Sequence, residues 1–186
     1  MSECDFIKWV LSDKYLSQDQ ASLKEFDSKG KCIQHVGFDG YYVKNRIWYL
    51  YRFDFKEKGD HLPFFRDVSH SPSGLRSFCD YVLLTEEDRL TYIFLIELKS
   101  GDTAGHTKQI EATRLFMYYI VASAKRICSE NDFSEFDENK IIIRRVLVTP
   151  HKSKKTTTTV KLRPVYSALN DIISYNELSF RPLALM

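Results

Sequence analysis

Residues 78–101 run FCDYVLLTEEDRLTYIFLIELKSG, with apolar runs at 78–84 and 90–99 on either side of the polar segment Thr85-Glu-Glu-Asp-Arg89. Two such runs joined by a short polar turn predict a β-hairpin. Side chains alternate faces along a strand, so Ile93, Leu95, Glu97 and Lys99 share one face. Glu97 and Lys99 thus emerge together at the end of an otherwise apolar strand. Burying them without partners would cost on the order of several kcal/mol. With the hairpin centred near Asp88, Asp80 falls opposite Glu97 or one step diagonal to it. The Cβ separation is then about 5 Å or about 7–8 Å. Two carboxylates at that distance repel unless something positive lies between them. Lys99 is one candidate, and a divalent cation held by both acids satisfies them better.

Downstream, the spacing predicts a helix over about residues 106–128, with Ile110, Met117, Val121, Ala124 and Cys128 on its apolar stripe and Gln109 in its first turns. A strand follows at 141–149, and its Ile/Val run suggests burial on both faces. Pro150 ends it, a further strand is expected within 156–162, and the tail from Ser167 to about Tyr175 reads as a short helix. Upstream, residues 31–55 read as strands, with a turn at Asp39-Gly40 and an aromatic run at 47–53. Residues 56–77, with Gly59, Pro63, Pro72 and Gly74, read as a long loop. The first 30 residues read as two helices. Phe6, Trp9 and Val10 lie on the first, and Ser17 to Gln20 forms a capping box for the second, which Gly30 ends. The expected class is α/β (α+β): a mixed central sheet of about four to five strands flanked by helices. One domain, 1–186, is expected, with N-terminal helices in 1–30, the core in 31–150 and a basic C-terminal extension in 151–186.

The net charge of +2 excludes a molecule that binds polyanions over its whole surface, but the charge is unevenly spread. Residues 139–170 carry eight Lys or Arg and no acid. Lys152, Lys154, Lys155, Lys161 and Arg163 are the candidate nucleic-acid contacts in that stretch, although His151-Lys-Ser-Lys-Lys155 reads equally well as a solvated turn. Cys4, Cys32, Cys79 and Cys128 are scattered and form no CxxC pair, which suggests reduced thiols rather than a zinc site or disulfide scaffold. The N-terminus lacks a secretory pattern and no apolar run reaches the roughly 20 residues of a membrane span, so a cytoplasmic protein without membrane contact is expected.

The roles that follow are chemical. Asp80 and Glu97 supply hard oxygen ligands for Mg²⁺ or Mn²⁺, with the Leu98 carbonyl as a further ligand. Such a metal polarises a phosphate and acidifies a bound water, while Lys99 orients the water or stabilises developing charge. Gln109 can hold a phosphate or water beside the site. At Asp80 and Glu97-Leu98-Lys99 the chain resembles the PD-(D/E)xK nuclease superfamily, whose core is a helix, a three-stranded meander, a second helix and a further strand. Cys79 stands where the family motif carries Pro. Thr113 stands where one branch carries Tyr, four residues after its Gln, and Glu25 is the nearest counterpart of an acid some branches place on the first helix. The resemblance implies a restriction-endonuclease-like core and a metal-dependent nuclease acting on DNA rather than RNA, alone, as a homodimer or within a larger complex. Two other readings stay open: a nuclease-fold module that binds nucleic acid or a protein without cutting, and an unrelated α/β protein with an ion-pair cluster at a strand end.

Overall fold

The computed structural model describes residues 2–26, 29, 32–38, 47–53, 78–99, 106–131, 136–148, 165–166 and 171–174. In chain order the elements are α1 (Glu3–Val10), β1 (Ser22–Phe26), β2 (Cys32–Gly37), β3 (Trp48–Arg52), β4 (Tyr81–Glu87), β5 (Leu90–Leu98), α2 (His106–Glu130), β6 (Ile141–Val148), β7 (Val165–Tyr166) and β8 (Asp171–Ser174). The fold is α/β: a mixed sheet in the order β3-β4-β5-β6-β8-β7 and a separate antiparallel ribbon of β1 and β2. Strands β3, β4 and β5 form an antiparallel meander. The chain then crosses through α2 and returns as β6, parallel to β5. A parallel return needs a long connection, and the helix supplies it.

The expected hairpin is β4–β5, in register from Tyr81↔Ile96 to Glu87↔Leu90. Its turn residues Asp88 and Arg89 both have positive φ, 50° and 64°. Such a two-residue turn matches the twist of the strands it joins.

Alternation along β4 and β5 produces two cores. On one face Val82, Leu84, Ile93 and Leu95 meet both helices, through Phe6 and Ile7 of α1 and Ile110, Met117 and Ala124 of α2. On the other, Leu83, Phe94 and Ile96 meet Leu23 of β1, Phe38 and Trp48. All five residues expected on the apolar stripe of α2 are buried. A reciprocal cap starts α1: the Ser2 hydroxyl accepts from the Asp5 N–H, and the Asp5 carboxylate accepts from the Ser2 N–H.

Several expectations give way. The second N-terminal helix is instead an extended segment leading into β1. Gln20 is the reason: its side-chain oxygen accepts from Leu50 N–H at 2.7 Å and its amide donates to Leu50 C=O at 3.0 Å. That side chain satisfies the outer edge of β3 as another strand would, rather than capping a helix. Both helices lie on one face of the sheet, and the β1–β2 ribbon packs on the other. Trp9 is largely exposed. Strand β6 is buried only over its last three residues, its first five being half-buried. Within the expected tail helix, Asp171–Ser174 is a strand that extends the sheet beside β6. The turn at Asp39-Gly40, the loop 56–77 and the strand at 156–162 lie outside the described residues. Cys4, Cys79 and Cys128 are buried free thiols and Cys32 is an exposed one. Among the described residues no helix is long and apolar enough to cross a membrane.

Candidate active site

The ends of β4 and β5 bring the predicted residues to one place. Continuing the β4–β5 register one pair beyond Tyr81↔Ile96 sets Asp80 opposite Glu97, on the face that carries the helices. The Asp80 Oδ2 accepts a hydrogen bond from Leu98 N–H at 2.6 Å. Asp80 C=O accepts from Phe53 N–H at 3.0 Å, which fixes this residue to β3 as well. Glu97 is 1% exposed, so its charge is almost wholly removed from bulk water. Lys99 Nζ lies 2.5 Å from Glu97 Oε1 and donates to Gln109 Oε1 at 3.1 Å. Asp80, Glu97, Lys99 and Gln109 are thus brought together.

The Lys99 ammonium is held by opposing effects. Burial alone favours its neutral form, but the hydrogen bond to Glu97 and the charges of Glu97, Asp80 and Glu25 outweigh it and raise its pKa above the ordinary lysine value. At neutral pH Lys99 is therefore a cation and a donor, never a base.

The sequence reading gave no role to two further participants. Thr113 is fully buried, accepts from Cys79 N–H at 2.7 Å and donates to Gln109 C=O at 2.8 Å. It ties the first turns of α2 to the residue preceding Asp80. Its spacing of four from Gln109 placed it on the same helix face, and that was the available signal. Glu25 on β1 acts electrostatically on Lys99. The sequence reading had it only as the nearest counterpart of a first-helix acid, on a segment read as a helix rather than a strand. Lys152, Lys154, Lys155, Lys161 and Arg163 lie outside the described residues.

Among the described residues no group of three or more His, Cys, Asp or Glu is arranged around a metal position. The donor set near Asp80 nonetheless suits Mg²⁺, which typically takes one or two carboxylates and fills its remaining positions with water and substrate phosphate. No protein-family model matches the chain, and neither a curated protein nor a solved structure matches it significantly.

Proposed function

We propose that this protein is a Mg²⁺- or Mn²⁺-dependent nuclease of the PD-(D/E)xK type, with DNA as its favoured substrate. The observation that carries this reading is the juxtaposition of Asp80 and Glu97 on neighbouring strand ends, with Lys99 bridging Glu97 to Gln109. The element order supports it too: apart from the β1–β2 ribbon inserted after α1, the sequence α1, the β3–β4–β5 meander, α2 and then β6 follows the order the resemblance implies for a restriction-endonuclease-like core. The three buried free thiols suit a reducing compartment, and a cytoplasmic location belongs to the same proposal.

In this reading Asp80 and Glu97 hold the cation, with the Leu98 carbonyl as a further ligand. The metal would polarise the scissile phosphate and lower the pKa of a coordinated water. Lys99 has three N–H donors, of which one serves Glu97 and one Gln109. The third can donate to the attacking water or to a phosphate oxygen as charge builds there. Gln109 keeps the ammonium aimed, and Thr113 keeps the helix bearing Gln109 in place.

The test is metal-dependent cleavage of plasmid, linear, branched and single-stranded DNA and of RNA. Wild type is expected to cut at least one of them with Mg²⁺ or Mn²⁺ and to stop in EDTA. Glu97→Gln, which keeps the volume and removes the charge, is expected to be inactive. Nucleic-acid binding without cutting on any substrate would instead favour the non-catalytic module, for which the Lys99–Glu97 ion pair is sufficient occupant of the site.

A further inference from the structure

Helix α2 has a second apolar stripe besides the one that packs into the core. Ile110, Met117, Val121, Ala124 and Cys128 are buried on the inner side. On the outer side Leu115 is 58% exposed, Tyr118 49% and Tyr119 69%, and Ala122 is exposed beside them. At about 100° per residue these four share one stripe, roughly opposite Met117. A lone exposed Leu or Tyr is ordinary surface, but four on one stripe over two turns form a contiguous patch. The polar groups bordering it are already engaged. Ser123 Oγ donates to Tyr119 C=O at 2.8 Å. The Arg114 guanidinium stands 5.0 Å from the centre of the Tyr118 ring, and the Glu111 carboxylate accepts two hydrogen bonds from that guanidinium. A side chain already held in this way loses little freedom when a partner covers it.

The order of residues along the stripe fits a second copy of the same helix running the other way. Leu115 lies three residues before Tyr118 and Ala122 three after Tyr119, while Glu111 lies seven before and Arg126 seven after. A two-fold axis between Tyr118 and Tyr119 therefore sets Tyr118 level with the second copy's Tyr119, Leu115 with its Ala122 and Glu111 with its Arg126. A large side chain meets a small one, ring meets ring, and at each end an acid meets a base. Parallel helices would instead set Glu111 against Glu111 and Arg126 against Arg126. Within one copy Glu111 pairs with Arg114 and Arg126 with Glu130, so each end of the antiparallel pair gathers two acids and two bases. Lys108, further out, is one residue out of level with the second copy's Glu130. Alternating signs of this kind suit the chain itself better than a nucleic acid, whose backbone offers one sign only.

We propose that the outer face of α2 is a dimerisation surface, on which two copies of this chain pair antiparallel about an axis between Tyr118 and Tyr119. The pairing stands independently of the nuclease reading. Gln109 becomes level with the second copy's Cys128, so the two candidate sites lie toward opposite ends of the helix pair, with their Gln109 residues about 30 Å apart along its axis. One helix pair buries less than a standard interface, so the dimer forms at micromolar concentrations rather than below them.

Sedimentation velocity of the full-length protein in EDTA, from about 1 to about 200 μM, reads the association. Wild type is expected to pass from monomer to dimer across that range. Tyr119→Lys alters an exposed side chain at the centre of the patch, so the fold survives it, and it is expected to weaken the dimer at least about tenfold. Glu111→Arg and Arg126→Glu each set like charges level with one another at both ends, and each is expected to weaken the dimer several-fold. An equal mixture of these two variants regains an acid and a base at both ends, and is expected to associate more tightly than either variant alone. That recovery would single out the antiparallel register, since neither a parallel pairing nor a surface elsewhere produces it. A wild type that stays monomeric throughout would overturn the proposal, as would a dimer that Tyr119→Lys leaves intact. Charge variants that weaken the dimer without recovering on mixing would overturn it too.

Discussion

Glu97 and Lys99 are a pair whose separation has a measurable cost. Glu97 is almost fully buried while the Lys99 side chain keeps 20% of its exposure. Taking away one partner of such a pair leaves a buried charge uncompensated, a loss of about 3–5 kcal/mol. Because Lys99 is not wholly buried, Lys99→Ala is expected near the lower end, about 3 kcal/mol less stable than wild type in EDTA. If Asp80 and Glu97 hold a metal, Mn²⁺ should restore much of that loss. A ligand at 100 times its dissociation constant stabilises by about 2.7 kcal/mol. Urea unfolding of both proteins with EDTA and with Mn²⁺ makes the comparison, and a variant midpoint that ignores Mn²⁺ would refute metal binding at these residues. Asp80, Glu97 and Lys99 were legible in the sequence because alternation along one apolar strand and the count across one hairpin sufficed to pair them. Gln109 was visible as a polar residue early in the next helix. The roles of Thr113 and Glu25 were not, since a buried threonine resembles any helical polar residue and the place of Glu25 depends on the β1–β2 ribbon.

Among the elements, the β4–β5 hairpin is the most completely specified and contains the clearest local compromise. Asp88 and Arg89 sit in its turn with φ of 50° and 64°. The left-handed region costs an ordinary L-residue about 1–2 kcal/mol, and glycine avoids most of that at an entropic cost of its own. Arg89 is exposed. Arg89→Gly, giving the Asp-Gly pair this turn favours, is therefore expected to raise stability by about 0.5–1 kcal/mol. Equilibrium urea unfolding would register it as a higher midpoint at unchanged slope, and a lower midpoint would mean that the arginine makes a compensating contact. The same scale shows where sequence patterns mislead. The stripe of α2 and the alternation of β5 are long enough to declare their period. The segment before β1 is short, and Ser17 to Gln20 presents a capping pattern whose glutamine is instead consumed by the Leu50 backbone 30 residues away. Strand β8 misled in a similar way: four residues that read as part of a helix become a strand because β6 offers a parallel edge.

Across the whole molecule, the alkaline limit of stability follows from what the two cores bury. Tyr51 is fully buried, and among the described residues nothing hydrogen-bonds to its hydroxyl. Burial, helped by the charges of Asp13, Cys4 and Tyr49, pushes that phenol well above its ordinary value of 10.0. Burial likewise raises Tyr81, and it raises the Cys4 and Cys79 thiols above 9.0. A group whose pKa is higher in the folded state holds its proton where the unfolded chain has already released it. Its contribution is intact below the unfolded value and is lost as pH climbs from there toward the folded one. The thiols therefore start to weaken the fold near pH 9 and the phenols near pH 10, and Lys99, also raised, adds the same sign above 10.5. Tyr51→Phe separates one group from the rest. It removes a buried hydroxyl that lacks a partner, so stability at pH 7 is expected to rise by about 1 kcal/mol. It also removes a proton that alkali would otherwise draw off, so the advantage over wild type should widen above pH 10. Urea unfolding of both proteins at pH 7, 9 and 10.5 reads both effects. A variant that gains nothing at pH 7 would mean that the hydroxyl is satisfied, and a constant gap between the two curves would mean that the Tyr51 hydroxyl titrates alike in the folded and the unfolded chain.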